Sequence, residues 1–174
     1  MPLRLVDKGA SKDLPLLVTG AEVTMYSLRQ ATDADYEFLY ALHVAAMQTY
    51  ITATWGWNET WQREYFEKKW NPIKQRIIQV AGEDAGVLVT GWRPEGFFLE
   101  LIELLPQYQG CGVGTAVIHD LQAMAAKQGY DIYLHVLKSN QPARRLYERL
   151  DFRMIEEREE RFVMIWEPTH KKNV

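Results

Sequence analysis

The sequence predicts one α/β domain built on a mixed, mostly antiparallel sheet of about six or seven strands with about four helices packed around it. Three observations predict it. Short apolar runs separated by turn-forming residues crowd the stretch from Ile77 to Leu104. After Pro106 the apolar period changes from two to 3.6, with Val113, Val117, Ile118, Leu121, Met124 and Ala125 on one helical face. A further strand, Ile132 to Leu137, follows that helix, and a strand, crossover helix and strand in succession make Phe97–Leu104 and Ile132–Leu137 parallel neighbours.

Taken in order, residues 1 to 24 carry Pro2, Pro15 and two glycines among short apolar runs such as Leu14 to Val18, and are expected to be an extension with one or two strands. From Met25 the alternation around Tyr26 and Leu28 predicts a half-buried strand. Thr32-Asp33 then offers a cap, and Phe38, Leu39, Leu42, Ala45 and Ala46 predict a helix to about Gln48. Tyr50, Trp55, Trp57, Trp61, Tyr65, Phe66 and Trp70 follow, the second half from Asn58 reading as a helix that ends near Asn71-Pro72. Such rings either pack a helix on the sheet or line a pocket. Ile77–Val80 and Val87–Thr90 flank Gly82-Glu83-Asp84-Ala85-Gly86, a hairpin loop by composition, and Arg93-Pro94-Glu95-Gly96 is a second turn. Gly129 stops the helix after Pro106. A helix from Gln141 to Leu150 and strands near Phe152–Glu157 and Arg161–Trp166 complete the domain, which spans residues 25–174.

A chain of 174 residues suits one well-buried core. Its net charge of -3 argues against a general phosphate-backbone binder, so no nucleic-acid partner is expected. One cysteine, Cys111, allows no internal disulfide, and no Cys/His cluster has metal spacing, so no metal is expected and the cytoplasm fits. Arg4, Asp7, Lys8, Lys12 and Asp13 interrupt the first leucines, unlike a signal peptide, and no apolar run approaches the ~18 residues of a membrane span.

The most specific segment is Pro106-Gln107-Tyr108-Gln109-Gly110-Cys111-Gly112-Val113-Gly114-Thr115, between a strand and a helix. Alternating glycines let successive N–H groups approach an anion, and the helix N-terminus adds unpaired donors, so a diphosphate suits it. The spacing is neither G-x-G-x-x-G nor a P-loop, and the preceding strand leaves a meander, unlike a first βα unit of a dinucleotide fold. Gln109-Gly110-Cys111-Gly112-Val113-Gly114 resembles instead the diphosphate loop, Gln/Arg-x-x-Gly-x-Gly/Ala, of the GNAT superfamily of N-acetyltransferases. Leu99 to Pro106 is similar to that family's central strand. Leu134-His135-Val136-Leu137-Lys138-Ser139-Asn140, Ala143, Leu146-Tyr147 and Asp151-Phe152 are similar to its next strand and helix. The likeness runs from about Met25 to Trp166 and is to small, bacterial-type members. Asp151 departs from the family's usual glycine, but Asp tolerates a left-handed backbone.

The resemblance implies a sheet whose central parallel pair splays apart to hold acetyl-CoA as co-substrate, without metal. The backbone of Ile102, Glu103 and Leu104 would take the pantetheine arm, and residues 109 to 115 the diphosphate. Asn140 would cap its helix and reach the pantetheine amide. Tyr147, seven residues on, would contact the coenzyme and protonate the leaving sulfur, transfer being to a primary amine of a small molecule or protein by direct attack. The base is left among His135, Glu103, Glu100 and a water chain with no dedicated residue. His135 is similar in position to a glutamate of ribosomal-protein N-terminal acetyltransferases, and an ordinary imidazole can accept a proton at neutral pH. Glu100 and Glu103 differ in strand parity, so only a bulge would let both face the acceptor. Cys111 would lie by the diphosphate, which argues against an acyl-enzyme. An acyl-CoA-binding module without turnover and a nucleotide-binding protein are the competing classes, and homodimerisation through sheet edges or the extension stays open.

Overall fold

The structure, a computed structural model, describes residues 25–168, so the expected extension over 1 to 24 and the last six residues of the expected domain lie outside the described residues. The strands are β1 (Ser27–Gln30), β2 (Gln75–Val80), β3 (Glu83–Arg93), β4 (Gly96–Leu104), β5 (Ile132–Leu137), β6 (Arg153–Glu157) and β7 (Arg161–Trp166). The helices are α1 (Tyr36–Trp55), α2 (Glu59–Lys69), α3 (Val113–Gln128) and α4 (Gln141–Arg149). The seven strands form one sheet in the order β1-β2-β3-β4-β5-β7-β6. Only β4 and β5 run parallel, as the crossover through α3 dictates.

Strand alternation divides the sheet's side chains between two layers. On one face Leu88, Phe97, Leu99, Ile132, Leu134, Val136, Phe162 and Met164 meet Val117, Ile118, Leu121 and Ala125 of α3 and Tyr147 of α4. Each large aliphatic side chain buried there contributes about 1.5–3 kcal/mol. On the other face Ile77, Val87, Val89 and Leu101 meet Leu39 and Leu42 of α1 and Phe66 of α2. Gly129 ends α3 at φ 75, and Asn58 caps α2 by accepting from the Trp61 N–H at 2.9 Å.

Three details differ from the sequence expectation. Helix α1 continues past Gln48 to Trp55 because nothing breaks it before Gly56, at φ 80, and because buried Ile51 anchors its last turns. The first hairpin turns on Ala81 and Gly82 alone, at φ 52 and 85, so Glu83 to Gly86 belong to β3. Gly86 is there for close packing: a Cβ would land on the Glu103 carbonyl of β4. Finally, β4 carries a bulge. Val89 pairs with Leu101 and Thr90 with Leu99, which leaves Glu100 as the extra residue and resets the alternation beyond it.

Candidate functional site

The parallel pair is short. Phe97, Phe98 and Leu99 pair with Ile132, Tyr133 and Leu134, and beyond them the two strands separate. From Leu101 to Leu104, β4 is bonded to β3 on one side only. A free edge inside a sheet leaves backbone donors and acceptors for another chain-like partner. The gap opens into a cavity of about 490 Å³ lined by Ile102, Glu103 and Leu104 of β4, Gln109 to Thr115 in part, Asn140, Tyr147 and one face of α1.

At one end of the cavity lies the glycine loop. Gly110 and Gly112 hold left-handed φ values of 71 and 92, and Gly112 is the residue at which α3 begins. The first helical bond runs from Ala116 to the Gly112 carbonyl, and the N–H groups of Gly112, Val113, Gly114 and Thr115 take no partner among the described residues. Four free donors at the positive end of a 16-residue helix form an anion cradle. The Gln109 side chain turns back and donates to the Leu104 carbonyl at 2.8 Å, tying the loop to the end of β4.

The residues singled out in the sequence divide clearly. Ile102, Glu103, Leu104, Gln109, Gly110, Gly112, Gly114, Thr115, Asn140 and Tyr147 line one cavity. Val113 is buried in the core and the exposed Cys111 thiol donates to the Tyr108 carbonyl, so neither side chain lines the cavity. Asn140 caps α4 by accepting from the Ala143 N–H at 3.2 Å. Tyr147 is 7% exposed, and its hydroxyl has no partner among the described residues. Burial pushes its pKa up to about 12, so it carries its proton at neutral pH. Asp151, at φ 63, takes the left-handed turn after α4. Of the seven aromatic residues from Tyr50 to Trp70, only Tyr50 lines the cavity; Phe66 packs on Tyr36 and Tyr40, while Trp61 and Tyr65 stack on each other at the surface.

The α1 side of the gap holds a cluster that the sequence did not announce. Glu103 is 4% exposed, and its Oε1 meets His43 Nδ1 of α1 at 2.9 Å. Burial alone would lower the His43 pKa, but the hydrogen bond and charge of Glu103, with the Gln62 side chain, outweigh it and raise the value. His43 lies on the same helical stripe as Met47 and Tyr50, both of which line the cavity. Nothing about a histidine beside Leu42 marks it before the 60-residue contact to β4 is known.

The bulge also brings Glu100 to this face. Its carboxylate lies against Gly91, opposite Phe98, and accepts from Arg93 Nε at 3.0 Å. Glu100 and Glu103 therefore share a face despite their spacing. His135 sits beside Phe98, their rings 5.6 Å apart, near the paired end of β4 and β5, and does not line the cavity. Burial first, then the charges of Arg158, Arg161 and Arg93, lower its pKa, so it is neutral at pH 7. Among the described residues no group of three His, Cys, Asp or Glu side chains could hold a metal ion, and no helix is long and apolar enough to cross a membrane.

Comparison with known proteins agrees with this geometry. A thialysine N-epsilon-acetyltransferase of Mus musculus is 35% identical over a segment covering 42% of this chain and 50% of that protein, so the chain spans about half the length of this curated relative. The PaiA N-acetyltransferase of Thermoplasma acidophilum, solved with coenzyme A, superposes with a TM-score of 0.67 at 14% identity, over 82% of this chain and 98% of that one. The ribosomal-protein-S18-alanine N-acetyltransferase of Escherichia coli gives 0.60 at 20% identity, over 86% and 99%. The latter two likenesses establish the fold. Residues 36–152 match the Acetyltransferase (GNAT) family, and with most of the sequence matched and its parallel pair splayed, the chain belongs to that family.

Proposed function

We propose that this protein transfers the acetyl group of acetyl-CoA to a primary amine by direct attack. The observation that carries the reading is the separation of β4 from β5 after three paired residues, with free helix-terminal N–H groups at one end of the gap. Acetyl-CoA fits the residues present: a diphosphate suits the donors of Gly112 to Thr115, and an amide-bearing arm suits the free edge of Ile102, Glu103 and Leu104. When bound, it supplies an activated acyl group on a thiol leaving group.

The chain's own residues then have three tasks. Main-chain N–H groups on the β4 edge hold and polarise the acyl oxygen as charge develops on it. Tyr147, protonated at neutral pH, donates its hydroxyl proton to the departing sulfur. Glu103 accepts the proton of the attacking nitrogen. Its Oε1 is fixed by His43, and Oε2 has no partner among the described residues. His43 is a positioning residue, orienting the carboxylate toward the cavity that both α1 and β4 line. Glu103 is favoured over His135 as the base because it lines the cavity with Ile102 and Leu104 of the free β4 edge, where the acyl group would lie, whereas His135 lies beside the paired end of the strands, off that cavity.

The test has two stages. Calorimetric titration should show binding of acetyl-CoA and no comparable binding of ATP; preference for ATP would replace the reading with a nucleotide-binding one. Free thiol should then appear when an amine panel is added to the acetyl-CoA complex. Tight acetyl-CoA binding without thiol release from any amine would make the chain an acyl-CoA-binding module.

A further inference from the structure

Beside the gap, on the α1 side of the sheet, lies a surface not used by the chemistry above. Helix α1 packs on β3 and β4, and the face of β5 and β7 next to them carries Tyr133, His135 and Leu137 alternating along one strand, with Arg161 paired opposite Leu137 on the next. Phe98 forms the wall toward β4, stacked on Tyr133 with ring centres 5.4 Å apart. Three guanidiniums surround this patch. Arg93 lies 4.4 Å over the Phe98 ring and is paired with Glu100; Arg158 is held by both carboxylate oxygens of Glu156, at 2.7 and 3.0 Å. Arg161 is partly buried, and its guanidinium has no acid partner among the described residues.

A partly buried guanidinium without an acid partner among the described residues keeps its donor fork available to an incoming anion. Arg161 stands one strand away from the end of β5 that borders the gap. The tip of α1 closes the other side: Ser139 Oγ, just after β5, donates to the Tyr50 carbonyl at 3.0 Å, and Trp55 Nε1 donates to Glu160 beside Arg161 at 3.2 Å. Arg93 and Arg158 are paired with Glu100 and Glu156, which leaves Arg161 as the guanidinium of the three with no acid partner among the described residues. An anion would find a bidentate donor fork with an aromatic wall beside it.

We propose that Arg161 is the specificity-determining residue of the acceptor site and binds a carboxylate carried by the acceptor, so that the preferred substrates are amino acids or other carboxylates whose amine is presented to Glu103 on an aliphatic arm. This rests on the acetyl-transfer reading and names its substrate class. The carboxylate displaces water from the Arg161 fork while Phe98, Tyr133 and His135 pack against the arm.

The experiment pairs amines that differ only in the carboxylate: 6-aminohexanoate with pentylamine, 4-aminobutyrate with propylamine, and lysine with 1,5-diaminopentane. Each is assayed by thiol release from the acetyl-CoA complex. For at least one pair the carboxylate should be preferred about tenfold or more in kcat/KM, mainly through a lower KM, as expected for a charge-assisted hydrogen bond. Arg161→Gln should bring that ratio to within about twofold by raising the KM of the carboxylate. Arg161→Lys, which keeps the charge but loses the fork, should retain part of the preference. Equal use of both members of every pair, a preference for the amines lacking a carboxylate, thiol release from none of these compounds, or a preference that survives Arg161→Gln would each overturn the proposal while acetyl-CoA binding still stands. Failure of acetyl-CoA to bind would instead overturn the acetyl-transfer reading, and this inference with it.

Discussion

On the α3–α4 side of the gap the groups available to a ligand are mostly main chain, the free edge of β4 and the N–H groups of Gly112 to Thr115, joined by Asn140, which caps α4, and Tyr147 of α4. On the α1 side they are side chains from five separate elements, namely His43 of α1, Arg93 of β3, Glu100 and Glu103 of β4, His135 of β5 and Arg161 of β7. The first side depends on backbone geometry, which glycine spacing and a helix start encode over ten consecutive residues. The second depends on long-range contacts such as His43 to Glu103. One side can be reshaped by substitution without touching the fold, whereas the other cannot change without moving the strand edge itself. This division suits an enzyme that keeps one donor and varies its acceptor.

If that division holds, the two sides respond differently to mutation. The largest loss is expected for Glu103→Gln, which removes the proton acceptor while leaving the main-chain edge in place: kcat should fall about 10³-fold, with the acetyl-CoA dissociation constant changed less than about threefold. A loss confined to coenzyme affinity would move Glu103 from the acceptor side to the donor side. Tyr147→Phe should lower kcat about 100-fold, because the removed hydroxyl acts on the leaving sulfur and not on the bound coenzyme. Equal loss of kcat and of acetyl-CoA affinity would argue for a packing role, which its contact with Phe152 also allows. In the main-chain loop, Gly112→Ala forces a side chain onto φ 92 at about 1–2 kcal/mol, so acetyl-CoA should bind about tenfold more weakly. Unchanged affinity in a titration would detach that loop from the diphosphate.

The same division explains what the sequence made legible. The order of strands and helices, the crossover through α3 and the helix beginning near Asn58 follow from local periodicity, so each is visible in a short window. The glycine loop before α3 is visible for the same reason. The bulge at Glu100 is not, because it is set by pairing with β3, and it decides that Glu100 and Glu103 share a face. Gly86 reads as a loop residue in the sequence because a glycine required by a neighbouring strand looks like a glycine required by a turn. His43 had no signal at all: its partner lies 60 residues away, and an isolated histidine on a helix is ordinary.

The smallest effect separates the two histidines of the acceptor side, through the pH dependence of stability. His43 has a folded pKa above its unfolded value, so its contribution is fully present below about pH 6.5 and is lost as pH rises through the raised value. His135 has a folded pKa below its unfolded value, so its contribution is present above about pH 6.5 and is lost as pH falls toward the lowered value. Urea midpoints measured from about pH 5 to 9 should therefore decline on both sides of about pH 6.5 from these two groups. His43→Gln should flatten the alkaline limb and His135→Gln the acidic one. On the donor side Tyr147, at about 12, does not titrate in this range, and Tyr147→Phe should leave both limbs as they are. Should His43→Gln leave the alkaline limb unchanged, the Glu103 pair is not holding a proton against solvent, and the positioning role of His43 falls with it.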